Sequence, residues 1–200
     1  MNNPTFAQLH DAQSKLIYSL IVAGKSADFA DKALAKLYMV FERELGVNNG
    51  ERLLPFVMLE RLFKAEKVEA CLREARTGNY RKLFNALLRL THSHLNLFTV
   101  LPWALEEIPG IGPKTSRFFI MWLRPEERYA ALDTHVLRWL RERYPNAPKS
   151  TPQNPKVYKH WEEVFIFKAN KMGLTPRQLD SRIWEAGAGR TQRTPLPEPL

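Results

Sequence analysis

Residues 108–115 read Ile-Pro-Gly-Ile-Gly-Pro-Lys-Thr, and helical patterns stand on both sides of them. Gly110 and Gly112 bracket a turn and tolerate the positive φ angles that such a turn often needs. Pro113 fits the first turn of the following helix, because its missing N–H would have no partner there anyway. The stretch therefore predicts two helices joined by a tight hairpin, a helix-hairpin-helix motif.

A hairpin of this kind binds a nucleic-acid backbone without reading its sequence. Glycines let a phosphate approach the main chain, and free N–H groups at the start of the second helix form an anion site. The alternative is an ordinary turn between two helices, since Gly-x-Gly alone is weak evidence. The residues predicted to contact DNA are Gly110, Gly112, Lys114, Thr115, Arg117 and Arg138. Further basic residues, Arg81 and Lys82 among them, are phosphate candidates whose default interpretation is solvated surface.

A carboxylate follows the hairpin at a fixed distance. Asp133 lies nineteen positions after Lys114, in the segment Leu132-Asp133-Thr134-His135. Helical spacing resumes directly after it, so one interpretation of Asp133 is a helix N-cap. A cap and a chemical role are compatible, because capping would hold the carboxylate rigid.

Together the two segments resemble the helix-hairpin-helix (HhH-GPD) DNA glycosylase superfamily, which includes endonuclease III and the 8-oxoguanine DNA glycosylases. Members carry a Leu-Pro-Gly-Val-Gly-x-Lys-Thr type of hairpin and a Val-Asp-Thr-His type of segment. The resemblance implies that Lys114 is the nucleophile of the bifunctional members and that Asp133 is the aspartate essential across the superfamily. It also implies an all-α fold of two helical lobes with a base-binding cleft between them.

The resemblance is specific over 108–136 and weaker over roughly 14–190, with similar segments at 31–38, 77–82 and 174–184. Many endonuclease III relatives end in four cysteines that hold an iron–sulfur cluster. This chain has only Cys71, and one thiol cannot hold such a cluster, so no cofactor is expected. A monovalent cation at the hairpin is left open. Gly24-Lys25-Ser26 stands where the family has a pocket glutamine, so the excised base is not determined.

The predicted chemistry begins with flipping a base out of the duplex, at a cost of roughly a few kcal/mol. Breaking the N-glycosidic bond creates positive charge at C1′ of the sugar, which Asp133 would stabilise. Lys114 would attack C1′ and form a Schiff base, for which its amine must be neutral. A helix N-terminus and Arg117 are both expected to lower its pKa. The alternative is that Lys114 only binds phosphate.

Bulk properties agree with an acidic partner. The 200-residue chain is 44% hydrophobic and carries a net charge of +9, which favours binding to double-stranded DNA. No apolar run approaches the roughly eighteen residues of a membrane span, and the start lacks a signal-peptide pattern. A lone cysteine argues against a disulfide scaffold, so the reducing cytoplasm is expected. The protein is also expected to be a monomer. Residues 1–190 are predicted to form one glycosylase unit, with lobes at about 30–130 and the remainder, and 191–200 a disordered tail.

Hydrophobic spacing predicts helices and no strand. Ser26 is expected to cap the second helix, and residues 46–50 break the pattern after it. The other predicted helices cover 5–23, 52–63, 65–76, 80–94, 102–107, 113–123, 134–143, 156–172 and 176–187.

Other functions are weighed against the glycosylase. A non-catalytic helix-hairpin-helix DNA-binding module would need neither Lys114 paired with Asp133 nor a cleft. A structure-specific nuclease would need clustered acidic metal ligands, and none are grouped in the sequence. His92 and His94 lack a neighbouring carboxylate or thiol, so the two are interpreted as exposed polar residues rather than as a metal site.

For the excised base, oxidised purine is expected first. Oxidised pyrimidine, alkylated purine and a hypermodified viral base, which would make this a defence enzyme, stay open.

Overall fold

The computed structural model of the chain describes residues 3–47 and 51–187. Within these residues the regular structure is entirely helical, so the predicted all-α class is confirmed. The helices are α1 (Phe6–Ile21), α2 (Ala27–Leu45), α3 (Pro55–Lys64), α4 (Val68–Glu74), α5 (Tyr80–His92), α6 (Pro102–Glu106), α7 (Pro113–Leu123), α8 (Thr134–Arg141), α9 (Pro155–Lys171) and α10 (Pro176–Gly187). The tail predicted at 191–200 lies outside the described residues.

The helices fall into two compact units, Met1–Ile111 and Gly112–Leu200. The first unit holds α1 to α6 and the first half of the hairpin. The second holds α7 to α10 and begins at the second glycine of the hairpin. The lobe limits predicted from the sequence, about 30–130 and the remainder, stay a prediction.

Local signals explain where the helices of the first unit begin. Thr5 and Gln8 form a reciprocal capping box at the start of α1. Ser26 accepts a hydrogen bond from the N–H of Phe29, which confirms the predicted cap of α2. The helix predicted over 65–76 is shorter, because Glu66 adopts a φ of 56° between α3 and α4 and breaks the pattern there.

Leucine-rich faces form the core of the first unit. Helix α2 packs against α1, α3 and α4, and α3 also packs against α5. The fully buried side chains include Leu16, Ile17, Leu37, Phe41, Leu59, Leu62, Leu72 and Leu87. This packing fixes the position of α5, and Gly110 of the hairpin lies against Lys82 of that helix.

A second core forms in the unit that begins at Gly112. Helix α10 packs against α7, α8 and α9, and Trp139 meets Phe165 edge to face with ring centroids 5.8 Å apart. The other members of this core include Leu132, Val136, Leu140, Tyr158, Trp161, Ala169, Leu179 and Ile183. Because α10 lies against both α7 and α8, the starts of those two helices belong to one packed body.

Candidate active site

Gly110 makes the hairpin turn possible. Its φ is +104°, a conformation that glycine adopts without strain. A Cβ at this position would lie 3.2 Å from the carbonyl oxygen of Lys82 on α5, so a side chain would also be crowded. Gly112 does not use the positive φ that glycine tolerates. Its φ of −101° and ψ of 176° are the extended geometry of an N-cap.

The first turn of α7 offers free backbone donors. Pro113 occupies the first turn, as predicted, and the N–H of Ser116 donates to the Gly112 carbonyl at 3.0 Å. The N–H groups of Gly112, Lys114 and Thr115 have no acceptor among residues 3–47 and 51–187. Three such donors at the positive end of a helix are suited to hold a phosphate oxygen.

The Lys114 side chain is half-buried. Its Nζ lies 5.1 Å from the ring centroid of Phe118, one turn further along α7. Burial lowers the pKa of the Lys114 amine, while the charges of Asp133 and Asp180 act in the opposite direction. The net effect is a lowered pKa, which favours the neutral form that a nucleophile needs.

Arg117 does not contribute to this shift, contrary to the sequence-based expectation. Its Nε lies 3.1 Å from Oε1 of Glu162, and both side chains are largely buried. The guanidinium also stacks over Tyr158, 4.7 Å from the ring centroid. Because Glu162 neutralises this cation inside the unit, contact between Arg117 and a phosphate would require the pair to separate.

Asp133 caps α8. Its Oδ1 accepts a hydrogen bond from the N–H of Val136 at 2.8 Å, and its carbonyl accepts from Leu137 at 2.9 Å. Within the described part of the chain, no group donates to Oδ2. The cap interpretation is therefore correct, and it leaves one carboxylate oxygen available for chemistry.

The segment leading to Asp133 is held by two side chains of α9. The Tyr158 hydroxyl donates to the carbonyl of Ala130 at 2.9 Å and accepts from the N–H of Leu132 at 3.0 Å. Glu162 accepts from the N–H of Ala130 at 2.9 Å. These buried hydrogen bonds fix the main chain on which the Asp133 carboxylate stands.

A third charged group, Asp180, was not predicted as part of the site. It lies on α10, is 8% exposed, and accepts from Arg177 at 2.9 Å. Burial and the charge of Asp133 raise its pKa to about 6, against the opposing effects of Arg177 and Lys114. The sequence does carry a signal for it, because an acidic residue stands on the same helical stripe as the buried Leu179 and Ile183.

The predicted DNA contacts differ in accessibility. Gly112 and Lys114 lie in the first turn of α7, where the free donors are. Thr115 is 7% exposed, so its main chain rather than its hydroxyl suits a phosphate. Arg138 is exposed on α8 and makes no ion pair with another described residue. Contact of these residues with DNA stays a prediction.

Residues 3–47 and 51–187 contain no group of three or more His, Cys, Asp or Glu side chains arranged to hold a metal ion. Among these residues there is also no helix with the length and apolar character needed to cross a membrane.

No family model matches this chain, and no curated protein matches it by sequence. Its all-α fold, however, is similar to that of a DNA glycosylase of known structure. It is similar to the crystal structure of the 8-oxoguanine DNA glycosylase of Thermotoga maritima, with a TM-score of 0.64 and 23% sequence identity. The similarity covers 92% of this chain and 83% of the other. The resemblance predicted from 108–115 and 132–135 is thereby confirmed at the level of the fold.

Proposed function

We propose that this protein is a DNA glycosylase that excises a damaged or modified base from double-stranded DNA. One observation carries the proposal: the amine of Lys114 and the carboxylate of Asp133 lie at the starts of α7 and α8 in one packed unit. Lys114 senses the charge of Asp133, which raises the pKa of the lysine that burial lowers. Beside them are the free N–H groups of the first turn of α7, which suit a DNA phosphate.

The proposed reaction uses these groups in sequence. The hairpin and the first turn of α7 hold the backbone while the target base leaves the stack. As the bond from C1′ to the base breaks, the base departs with the electron pair and takes up a proton. The free oxygen of Asp133 stabilises the positive charge that develops at C1′.

Lys114 supplies the second part of the proposal. Its lone pair forms a bond to C1′, and loss of the amine proton with opening of the sugar ring gives an imine. An imine at this carbon is the intermediate through which an abasic site is cleaved. Burial supports this role, because it lowers the pKa of the amine. At neutral pH a larger fraction of the amine is therefore neutral than in a solvated lysine.

Burial of Lys114 also argues against the rival proposal of a non-catalytic DNA-binding module. A lysine that only binds phosphate works best as a solvated, fully charged ammonium. Here the lysine is packed against Phe118 and held near two carboxylates. This arrangement suits a reactive amine more than a surface cation.

Oxidised purine is the substrate class that we propose first. The fold is similar to that of a glycosylase whose stated substrate is 8-oxoguanine, and the chain has a single cysteine. Oxidised pyrimidine, alkylated purine and a hypermodified viral base are the competing substrates, the last of which would place the enzyme in antiviral defence. We also propose that the protein acts as a monomer in the cytoplasm without a cofactor.

The test is a base-release assay on a panel of duplexes that each carry one altered base. The wild-type chain should release one class of base, and Asp133→Asn should bind the same duplex without releasing it. If the protein binds DNA but releases none of these bases, the binding-module proposal replaces this one.

A further inference from the structure

Positive charge on the first unit is distributed unevenly among its helices. Each of the first four helices pairs a cation with a carboxylate four residues earlier. The pairs are Lys15–Asp11 on α1, Lys32–Asp28 on α2, Lys64–Glu60 on α3 and Arg73–Glu69 on α4. Such pairs satisfy a cation locally and leave little net charge on the helix surface.

Helix α5 lacks this compensation. It contains no acidic residue, and its exposed face is polar or basic throughout. The exposed residues of α5 are Arg81, Lys82, Asn85, Arg89 and His92. None of the three long cations forms an ion pair with another described residue. The net charge of the first unit is therefore concentrated on this helix face.

His92 extends the basic face to the end of α5. Its Nδ1 donates to the carbonyl of Leu88 at 2.8 Å, so Nε2 can donate to a phosphate when the ring is in the imidazolium form. One carboxylate, Glu60 of α3, senses the charge of His92. Glu60 already binds Lys64 at 2.8 Å, so it neutralises the basic face only weakly.

A groove runs beside this face and reaches the hairpin. Its volume is about 580 Å³, and Pro109 forms its wall on the hairpin side. The residues from α5 that line it are Asn85, Leu88, Arg89 and His92. Gly110 packs directly on the main chain of Lys82, so the groove adjoins the turn predicted to hold phosphate.

We propose that this groove is a second DNA-backbone site, in which Arg89 and His92 bind phosphates of the same duplex that the hairpin holds. The proposal rests on the proposed action on DNA and extends its footprint. From Lys82 to His92 the helix rises about 15 Å. Phosphates of one strand are about 3.4 Å apart along the duplex axis, so several of them can face this length.

Charge and shape favour DNA over a protein partner as the occupant. The large apolar side chains that are exposed elsewhere, such as Met39 and Trp103, are absent from α5. In the groove, Leu88 is half-buried and Pro109 is small, so there is no apolar anchor of the kind that protein interfaces use. A polyanion satisfies the unpaired cations without needing such an anchor.

The first test is the salt dependence of duplex binding by Arg89→Gln. Each lost phosphate contact should make the slope of log K against log salt less steep by about 0.9. At 0.1 M salt this corresponds to about eightfold weaker binding, if the affinity extrapolated to 1 M is unchanged. The control is Arg61→Gln, which removes one exposed cation from α3, where Arg61 lies 3.7 Å from Glu51. The proposal is overturned if Arg89→Gln keeps the wild-type slope, or if Arg61→Gln changes it equally.

The second test locates DNA without changing a charge. Cys71 is buried and burial raises its pKa, so a cysteine placed on the surface should react selectively with a neutral maleimide. Duplex DNA should slow labelling of Asn85→Cys but not of Met39→Cys, whose site on α2 is 69% exposed. Equal labelling of Asn85→Cys with and without bound duplex would rule out the groove. In that case base release by the wild-type chain would still support the glycosylase, whereas loss of all DNA binding would overturn both proposals.

Discussion

Lys114 and Asp133 lie at the N-terminal ends of two helices of the same unit. Lys114 lies in the first turn of α7, and Asp133 is the N-cap of α8. Burial lowers the pKa of the Lys114 amine and the Asp133 carboxylate raises it. The two groups therefore interact directly through their charges, and helix geometry rather than a flexible loop sets the position of each. This relationship leads to the first two predictions.

Replacing Lys114 by Gln should abolish a borohydride-trappable link to substrate DNA. The neutral amine attacks C1′ to give an imine, and reduction makes that imine permanent. The main-chain donors of Gly112 and Thr115 do not depend on the lysine side chain, so at 0.1 M salt duplex affinity should fall by no more than the roughly eightfold effect of one lost phosphate contact. The measurement is gel analysis of trapped complexes beside a binding titration.

Two results would contradict this role of Lys114. If Lys114→Gln still traps, another amine is the nucleophile. If the wild-type chain releases a base but never traps, the enzyme is monofunctional, Asp133 activates water, and Lys114 only holds phosphate.

Asp133→Asn should separate catalysis from folding. Asparagine caps helices about as well as aspartate, so the bond to the N–H of Val136 survives and the free energy of unfolding should change by less than about 1 kcal/mol. Loss of the charge near C1′ should slow base release by about a hundredfold or more. Single-turnover kinetics and urea unfolding measure the two effects.

Asp133→Ala is the matched control, because it removes both the charge and the cap. It should slow base release similarly and also destabilise the fold by about 1 kcal/mol. Normal base release by Asp133→Asn would show that this carboxylate is only a cap.

The contrast between Asp133 and Arg117 shows how far the sequence could predict the site. Helix starts, the hairpin and the cap follow from local signals such as Pro113 and Asp133, which act within one turn of the chain. The partner of Arg117 is Glu162, forty-five residues further on, and no local pattern specifies that pair. Asp180 is a similar case, because its raised pKa depends on burial by α10 and on the charge of Asp133.

Arg117→Gln should reduce stability rather than DNA affinity. It would leave the carboxylate of Glu162 buried without its cation, which costs on the order of 3 kcal/mol in the free energy of unfolding. The salt slope of DNA binding should stay at the wild-type value. Urea unfolding and binding titrations at several salt concentrations would check this.

Arg138→Gln should behave in the opposite way. Arg138 is exposed and has no ion-pair partner in the described part of the chain, so its loss should leave stability within about 0.5 kcal/mol. If it contacts phosphate, the salt slope should become less steep by about 0.9. Should Arg117→Gln reduce the slope in the same manner, the Arg117–Glu162 pair must open when DNA binds.

Asp180 should make stability depend on pH in a defined window. Its pKa is 3.8 in an ordinary setting and about 6 in the folded protein, so the folded state binds this proton more tightly. The stabilisation from protonated Asp180 is fully present below about pH 4 and is lost as the pH rises through about 6. At about 1.4 kcal/mol for each pH unit between the two values, the loss approaches 3 kcal/mol.

Asp180→Asn removes this titration while keeping the shape of the side chain. Above about pH 7 the variant should be more stable than the wild-type chain by roughly 2 kcal/mol, since some of the gain is offset by the lost pairing with Arg177. The difference should shrink steadily between pH 6 and pH 4, which urea unfolding across this range would measure.

Removing a negative charge should also lower the pKa of Lys114 further, so borohydride trapping should reach its maximum at lower pH than in the wild-type chain. A stability difference that is constant from pH 4 to 8, with an unshifted trapping profile, would show that Asp180 is already ionised across the whole range.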